Sequence, residues 1–251
     1  LLEHVRALYT FIDEVLSKHP DVIIENCSGG GLRGDYGMSS HCHFQNTSDQ
    51  EIYWRYPAIF QGHLANFVPE QTTIWSYPWP LLITKQPDLT EITKPEFVAE
   101  MADGEQTIFN MINGFCGNML LSGHFDYADA YNKALVKEGC TYYKYIRQYT
   151  HRSTAVFPIG LTTINKKAFT VVGFQNEEAG KLFLAAWRVN APERELRIPL
   201  GKYLSEVKSV KIGYPAEPKE VAFEMDEAAK ELVVRFTKDI QARFFEIDYK
   251  A

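Results

Sequence analysis

The sequence predicts an α/β unit with a parallel sheet over residues 1–151, followed by an antiparallel β-sandwich over residues 152–251. Two patterns carry this expectation. Up to about residue 150, short apolar runs alternate with stretches of helical period and read α, β, α, β, α, β, α. Beyond it, short apolar runs follow at close spacing, with turn residues and no helical stretch between them. The composition is ordinary for a globular chain, with 45% hydrophobic and 23% charged residues.

The elements follow in order. Leu2, Val5, Leu8 or Tyr9, Ile12, Val15 and Leu16 recur at the 3.6 period, and Pro20 stops the helix. Glu3, His4, Arg6, Asp13 and Glu14 interrupt its apolar positions, so this is an amphipathic helix and not a signal peptide. Its uncapped start leads to the expectation that the chain is a piece of something longer. "DVIIEN" predicts a strand buried on both faces, and a glycine-rich loop follows it. A second strand is expected near 40–46, then a helix over "QEIYWRYPAIFQGHLANF" bent or broken at Pro57. "EQTTIWSYP" predicts a third strand entering an aromatic loop, "WSYPWP", before a helix over "TKPEFVAEMADGEQTIFNMIN". "GNMLLSGHF" is the fourth strand. A long helix follows, in which Tyr142, Tyr145 and Tyr149 form a stripe read as core packing.

Several readings are disfavoured. A net charge of −6 without a basic run argues against a nucleic-acid partner. No apolar segment reaches the roughly 18 residues needed to span a bilayer, so no membrane partner is expected. Cys27, Cys42, Cys116 and Cys140 lie far apart without a CxxC pair, which reads as reduced thiols and a cytoplasmic location. His41 and His43 flank Cys42 but share the strand face opposite to it, and further ligands are lacking, so neither metal nor cofactor is expected. The sequons at Asn26 and Asn46 fall in candidate site segments and are read as coincidence.

In parallel α/β architectures ligands lie at the carboxyl ends of strands. Here those ends are Asn26-Cys27-Ser28, Asn46-Thr47-Ser48-Asp49, Trp75-Ser76 and Ser122-Gly123-His124. Gly29-Gly30-Gly31 lacks the lysine and hydroxyl of a P-loop. Gly29, Gly31 and Gly34 match the bare dinucleotide-binding spacing, but no good helix opens after them. The remaining choices are a flexible turn, or a loop whose small residues admit a ligand to the backbone, with Arg33 and Asp35 bracing it or touching the ligand. Asp49 is suited to capping the helix after it. Trp75, Tyr77 and Trp79 suit either a sugar-stacking wall or a loop packed on the sandwich.

Together, "ENCSGGGLRGDYGM", "QNTSDQEIYWRYP" and "MLLSGHFD" resemble glycoside hydrolase family 36, the retaining α-galactosidases. The resemblance implies the last four strands of a (β/α)8 TIM barrel, then the C-terminal sandwich domain. It implies Asp49 as general acid/base. Cys27 and Gly29 match positions lining the sugar pocket, and Ser28, Arg33 and Asp35 match the same substrate-binding loop. The family's nucleophile, an aspartate after a lysine and an aromatic, has no counterpart here, so the isolated chain is expected to be inactive. The segment after Asp49 and the "GLRGD" sequence depart from the family's frequent forms. They leave α-galactose favoured and α-N-acetylgalactosamine open. A non-catalytic sugar-binding or assembly module and a galactosyl-transferring transglycosylase are the alternatives. An α-galactoside is the implied partner, and open barrel edges imply a possible homo-oligomer.

Overall fold

The computed structural model describes residues 2–79, 101–164, 166–217 and 220–250. Helix α1 (Leu2–Lys18) is amphipathic, as its period requires, and is anchored by Ile12, its buried residue, against Met38 and Cys42. Strands β1 (Glu25–Asn26), β2 (Phe44–Asn46), β3 (Thr72–Trp79) and β4 (Asn118–Gly123) form a parallel sheet in chain order. Helix α3 (Tyr56–Leu64) crosses from β2 to β3, and helix α4 (Glu105–Gly114) precedes β4. A one-turn helix, α2 (Tyr36–Ser39), lies between β1 and β2, and the long α5 (Ala130–Thr150) follows β4. This is four strands of a barrel-type sheet with its helices.

Local differences from the sequence expectation have physical causes. β1 is shorter than "DVIIEN". It is an edge strand bonded to β2 alone, and Val22 and Ile23 are exposed rather than covered on both faces. Pro57 falls in the first turn of α3, where a missing N–H leaves no bond unmade, so it opens the helix instead of bending it. The aromatic segment Trp75–Trp79 is strand and not loop. One helical turn does open after the glycine loop, because Asp35 caps it by accepting from the Met38 N–H at 2.9 Å. The beginning of the helix expected at 93–113, and Pro80 of the aromatic segment, lie outside the described residues.

The sandwich has two antiparallel sheets. β5 (Thr154–Val156), β6 (Ala168–Asn176), β7 (Lys181–Val189), β9 (Val207–Tyr214) and β12 (Ile240–Tyr249) form one, in the order β5-β6-β7-β12-β9. β8 (Glu195–Pro199), β10 (Ala222–Asp226) and β11 (Glu231–Arg235) form the other, in the order β10-β11-β8. The larger sheet is covered on both faces. Val171, Leu182, Leu184, Phe245 and Ile247 meet the smaller sheet's Leu196, Ile198, Leu232 and Val234. Val172, Phe174, Phe183, Trp187 and Phe244 meet α3, α4 and α5 through Phe60, Ile108, Ile112, Leu135 and Ile146. Double coverage explains why "KLFLAAWRV" is buried almost throughout while β8 alternates, with Leu196 and Ile198 inward and Glu195 and Arg197 exposed.

A buried ion pair joins the two parts. Arg243 on β12 forks onto Glu105 at the start of α4, with both N···O distances 2.8 Å. Gln241 Nε2 donates to the same carboxylate at 3.1 Å. A second network surrounds Glu246, which is 2% exposed. Lys181 reaches Glu246 at 2.7 Å and Asp248 at 2.6 Å, and Lys211 reaches Glu246 at 3.2 Å. Burial raises the Glu246 carboxyl, but hydrogen bonds from Lys181, Tyr145 and Lys211 outweigh it and hold it below its ordinary value. Asp248 is held down chiefly by its bond from Lys181.

Glu105→Ala strands a buried guanidinium and is expected to cost about 3–5 kcal/mol of stability in urea unfolding, much of it recovered by adding Arg243→Met. The depressed Glu246 and Asp248 carboxyls predict an acid limb. Their contribution is present above the ordinary values of 4.5 and 3.8 and is lost as pH falls through the lower folded values. Thermal melts between neutral and acid pH should show that loss, and Lys181→Met should flatten it.

Candidate active site

The carboxyl ends of β1 and β2 meet through backbone. After β1 the chain turns through Cys27, which is exposed, and folds back on itself. The Ser28 N–H donates to Gly30 O at 3.1 Å, and the Leu32 N–H to Ser28 O at 3.3 Å. Gly29 and Gly30 have φ of 54° and 80°, in the left-handed region that favours glycine. A Cβ on Gly30 would stand 2.4 Å from Ser48 Cα and 2.8 Å from Asp49 N, and one on Gly31 would stand 2.7 Å from Thr47 O. The glycine run therefore lets the loop lie directly on the segment that presents Asp49. The Asn26 side-chain amide fastens the far end of the loop by donating to Arg33 O at 2.8 Å.

Of the residues expected here, Cys27, Ser28, Gly29 and Asp49 are brought onto neighbouring strand ends, with Asp49 exposed. Arg33 presents an exposed side chain further along the loop. Asp35 stands at the loop exit, where its side chain caps α2. Of the three aromatic residues, Tyr77 and Trp79 are buried, Trp79 among Met101 and Ala128. Trp75 is half-buried and stacks on Tyr77 with ring centroids 6.0 Å apart. Burial raises the Tyr77 phenol, and the charges of Tyr56, Glu51 and Asp49 push in the same direction, which places Asp49 near this wall.

Two contributors were missed in the sequence. Tyr56, 1% exposed on α3, sends its hydroxyl back to the strand ends. It lies 2.7 Å from Thr47 Oγ1 and 2.9 Å from Ser48 O, and accepts from the Trp75 N–H at 3.2 Å. Burial pushes this phenol up to about 12 against the opposing bonds from Thr47 and Trp75, and the charges of Asp49 and Glu25 add to the rise. Glu25 accepts from Asn46 Nδ2 at 3.2 Å and from the Thr73 hydroxyl, spanning β1 to β3 on one sheet face. Its position two residues before Cys27, in alternation, was the available signal. The sequon residues Asn26 and Asn46 are 4% and 1% exposed and hold hydrogen bonds of the sheet.

The His41–Cys42–His43 segment divides among separate contacts. His41 meets Asp13 at 2.7 Å and stacks on Tyr9, the His43 ring accepts from the Ile24 N–H, and Cys42 packs on Ile12 and Met38. Among the described residues no group of three or more His, Cys, Asp or Glu side chains is placed to hold a metal ion. No described helix is long and apolar enough to cross a membrane.

Residues 2–54, which include the glycine loop and Asp49, match the Melibiase family model. No curated protein matches the sequence. Among solved structures, the chain is similar to the GH36 α-galactosidase AgaB of Geobacillus stearothermophilus, with 19% identity and a TM-score of 0.67. It is similar also to the α-galactosidase of Lactobacillus brevis, with 15% identity and a TM-score of 0.67. A substituted form of AgaA from Geobacillus stearothermophilus, in complex with raffinose, matches with 18% identity and a TM-score of 0.68. Each alignment covers 97% of this chain, which spans only 31% of the solved one. Residues 2–54 thus match the Melibiase family, and nearly the whole chain has the fold of a part of the GH36 α-galactosidases.

Proposed function

We propose that residues 1–151 supply one side of the active site of a retaining α-galactosidase-type hydrolase, and that residues 152–251 are a sandwich domain supporting it. Asp49 is the general acid/base. Cys27, Ser28 and Gly29 border the sugar, Arg33 reaches toward it from the loop, and Asp35 fixes the loop's exit. The substrate class is a terminal α-galactoside. The observation that carries this reading is the contact of Gly30 and Gly31 with the backbone of Thr47–Asp49, which makes the loop and the acid-bearing segment one surface.

Retaining hydrolysis needs two carboxyl groups about 5–5.5 Å apart. One attacks the anomeric carbon while the other protonates the leaving oxygen and then activates water. An acid that keeps its proton near neutral pH needs burial or an anionic neighbour. In this reading the nucleophilic carboxylate is contributed by residues outside this chain.

The isolated chain is accordingly expected to give no substantial hydrolysis of an aryl α-galactoside, yet to show saturable amide shifts over residues 27–31 when titrated with methyl α-galactoside. Substantial turnover would count against an outside nucleophile, and the absence of saturable binding against the pocket. Gly30→Ala is expected to lower stability by about 1–3 kcal/mol, from its positive φ and the forced separation of the two backbones, and to abolish those shifts.

A further inference from the structure

We infer that Tyr56 is a positioning residue whose hydroxyl ties the strand end carrying Asp49 to the strand end carrying Trp75. This rests on the reading of Asp49 given above. Pairing between β2 and β3 reaches Asn46 and Thr73. Two further bonds follow, from the Thr47 N–H and the Thr47 hydroxyl to Thr73 O at 3.2 and 2.9 Å. Beyond them the strand-end segments are joined through a side chain from the helix layer. The phenol oxygen gathers three partners from the two strand ends. Tyr56 donates to Ser48 O and accepts from the Trp75 N–H, while the Thr47 hydroxyl, 2.7 Å from the phenol oxygen, also lies 2.9 Å from Thr73 O. The phenol thus both donates to one strand end and accepts from the other.

The Tyr56 ring packs in the main core, with its nearest aromatic contact Phe60 at 6.2 Å. The hydroxyl alone serves the strand ends. It holds the carbonyl of the peptide that leads into Asp49 and the amide of the residue that stacks on Tyr77. Asp49's charge is felt at this hydroxyl. The hydroxyl thus stands between the peptide leading into Asp49 and the Trp75 amide.

The test is a cycle on the 251-residue chain, read by ¹⁵N NMR, with Asp49→Asn introduced into wild type and into Tyr56→Phe. In wild type, Asp49→Asn should move the Trp75 amide resonance. In Tyr56→Phe that movement should vanish, and exchange of the Trp75 amide with solvent should rise about tenfold, equivalent to about 1.4 kcal/mol. An equal movement in both backgrounds, or none in wild type, overturns the inference. Thr47→Val, which removes the hydroxyl beside the phenol oxygen and leaves the ring in place, should reduce the same movement and decides the matter if Tyr56→Phe fails to fold. With methyl α-galactoside, Tyr56→Phe should weaken binding about tenfold, and unchanged affinity overturns the functional role. Wild type that does not bind the sugar sinks the α-galactosidase reading alone, and the Asp49–Trp75 cycle still decides the tie.

Discussion

Helix α4 is covered on both sides, and the rest of the molecule is arranged around that fact. One side lies against β3, where Ser76 Oγ donates to Asn110 O, and the other against β12 of the sandwich. Ile108, Phe109, Met111 and Ile112 are all fully buried. A helix buried on nearly all sides needs two partners, and here one is a parallel sheet and the other an antiparallel one. The two parts of the chain therefore share a core and are not merely tethered. Phe115, just beyond α4, meets Tyr143 of α5 and Phe244 of β12.

The shared core makes Glu105 and Arg243 intelligible. A charged pair at full burial is weak support for stability by itself, since desolvation opposes its attraction. Its directional fork instead fixes where α4 begins relative to β12. Gln61 does similar work from α3. It donates to Gly160 O and Val171 O and accepts from the Thr162 N–H, tying the helix layer to the sandwich at its other end. The strand ends that carry the candidate site stand on this braced layer. A site built there inherits the rigidity of two sheets and depends on close backbone contact more than on long side chains.

The glycine-rich loop shows how much of the site was legible. The residues "NCSGGG" and the aspartate of "TSD" could be picked out by type and by their place after apolar runs. That the glycines are needed to let the loop lie on Ser48 and Asp49 could not, because the contact is between backbones of two segments. A second such contact closes the other side of the sheet, where a Cβ on Gly123 would stand 2.2 Å from Trp79 O. Tyr56 was hidden for a different reason. As an aromatic residue beside a proline at a helix start it reads as core, and its ring is core; only the direction of its hydroxyl gives it a role at the site. Asp35 reads equally well as loop brace or ligand contact, and its bond from the Met38 N–H shows the bracing contact.

What the sequence determined by itself was the order and type of the elements. Hydrophobic period and turn residues depend on near neighbours, and those are written in the chain. It therefore yielded the parallel α/β part, the strand runs of the sandwich from β6 to β12 and the segments that end in polar residues. It overextended β1, because an apolar run does not say whether anything lies over it, and Val22 and Ile23 turned out exposed at a sheet edge. It missed β5, a strand of only three residues that exists because β6 lies beside it. Tertiary structure alone decided the double coverage of the large sheet, the charged fork between α4 and β12, and the meeting of Gly30 with Asp49. Each is a contact between residues far apart in the chain, where distance and direction are set by packing.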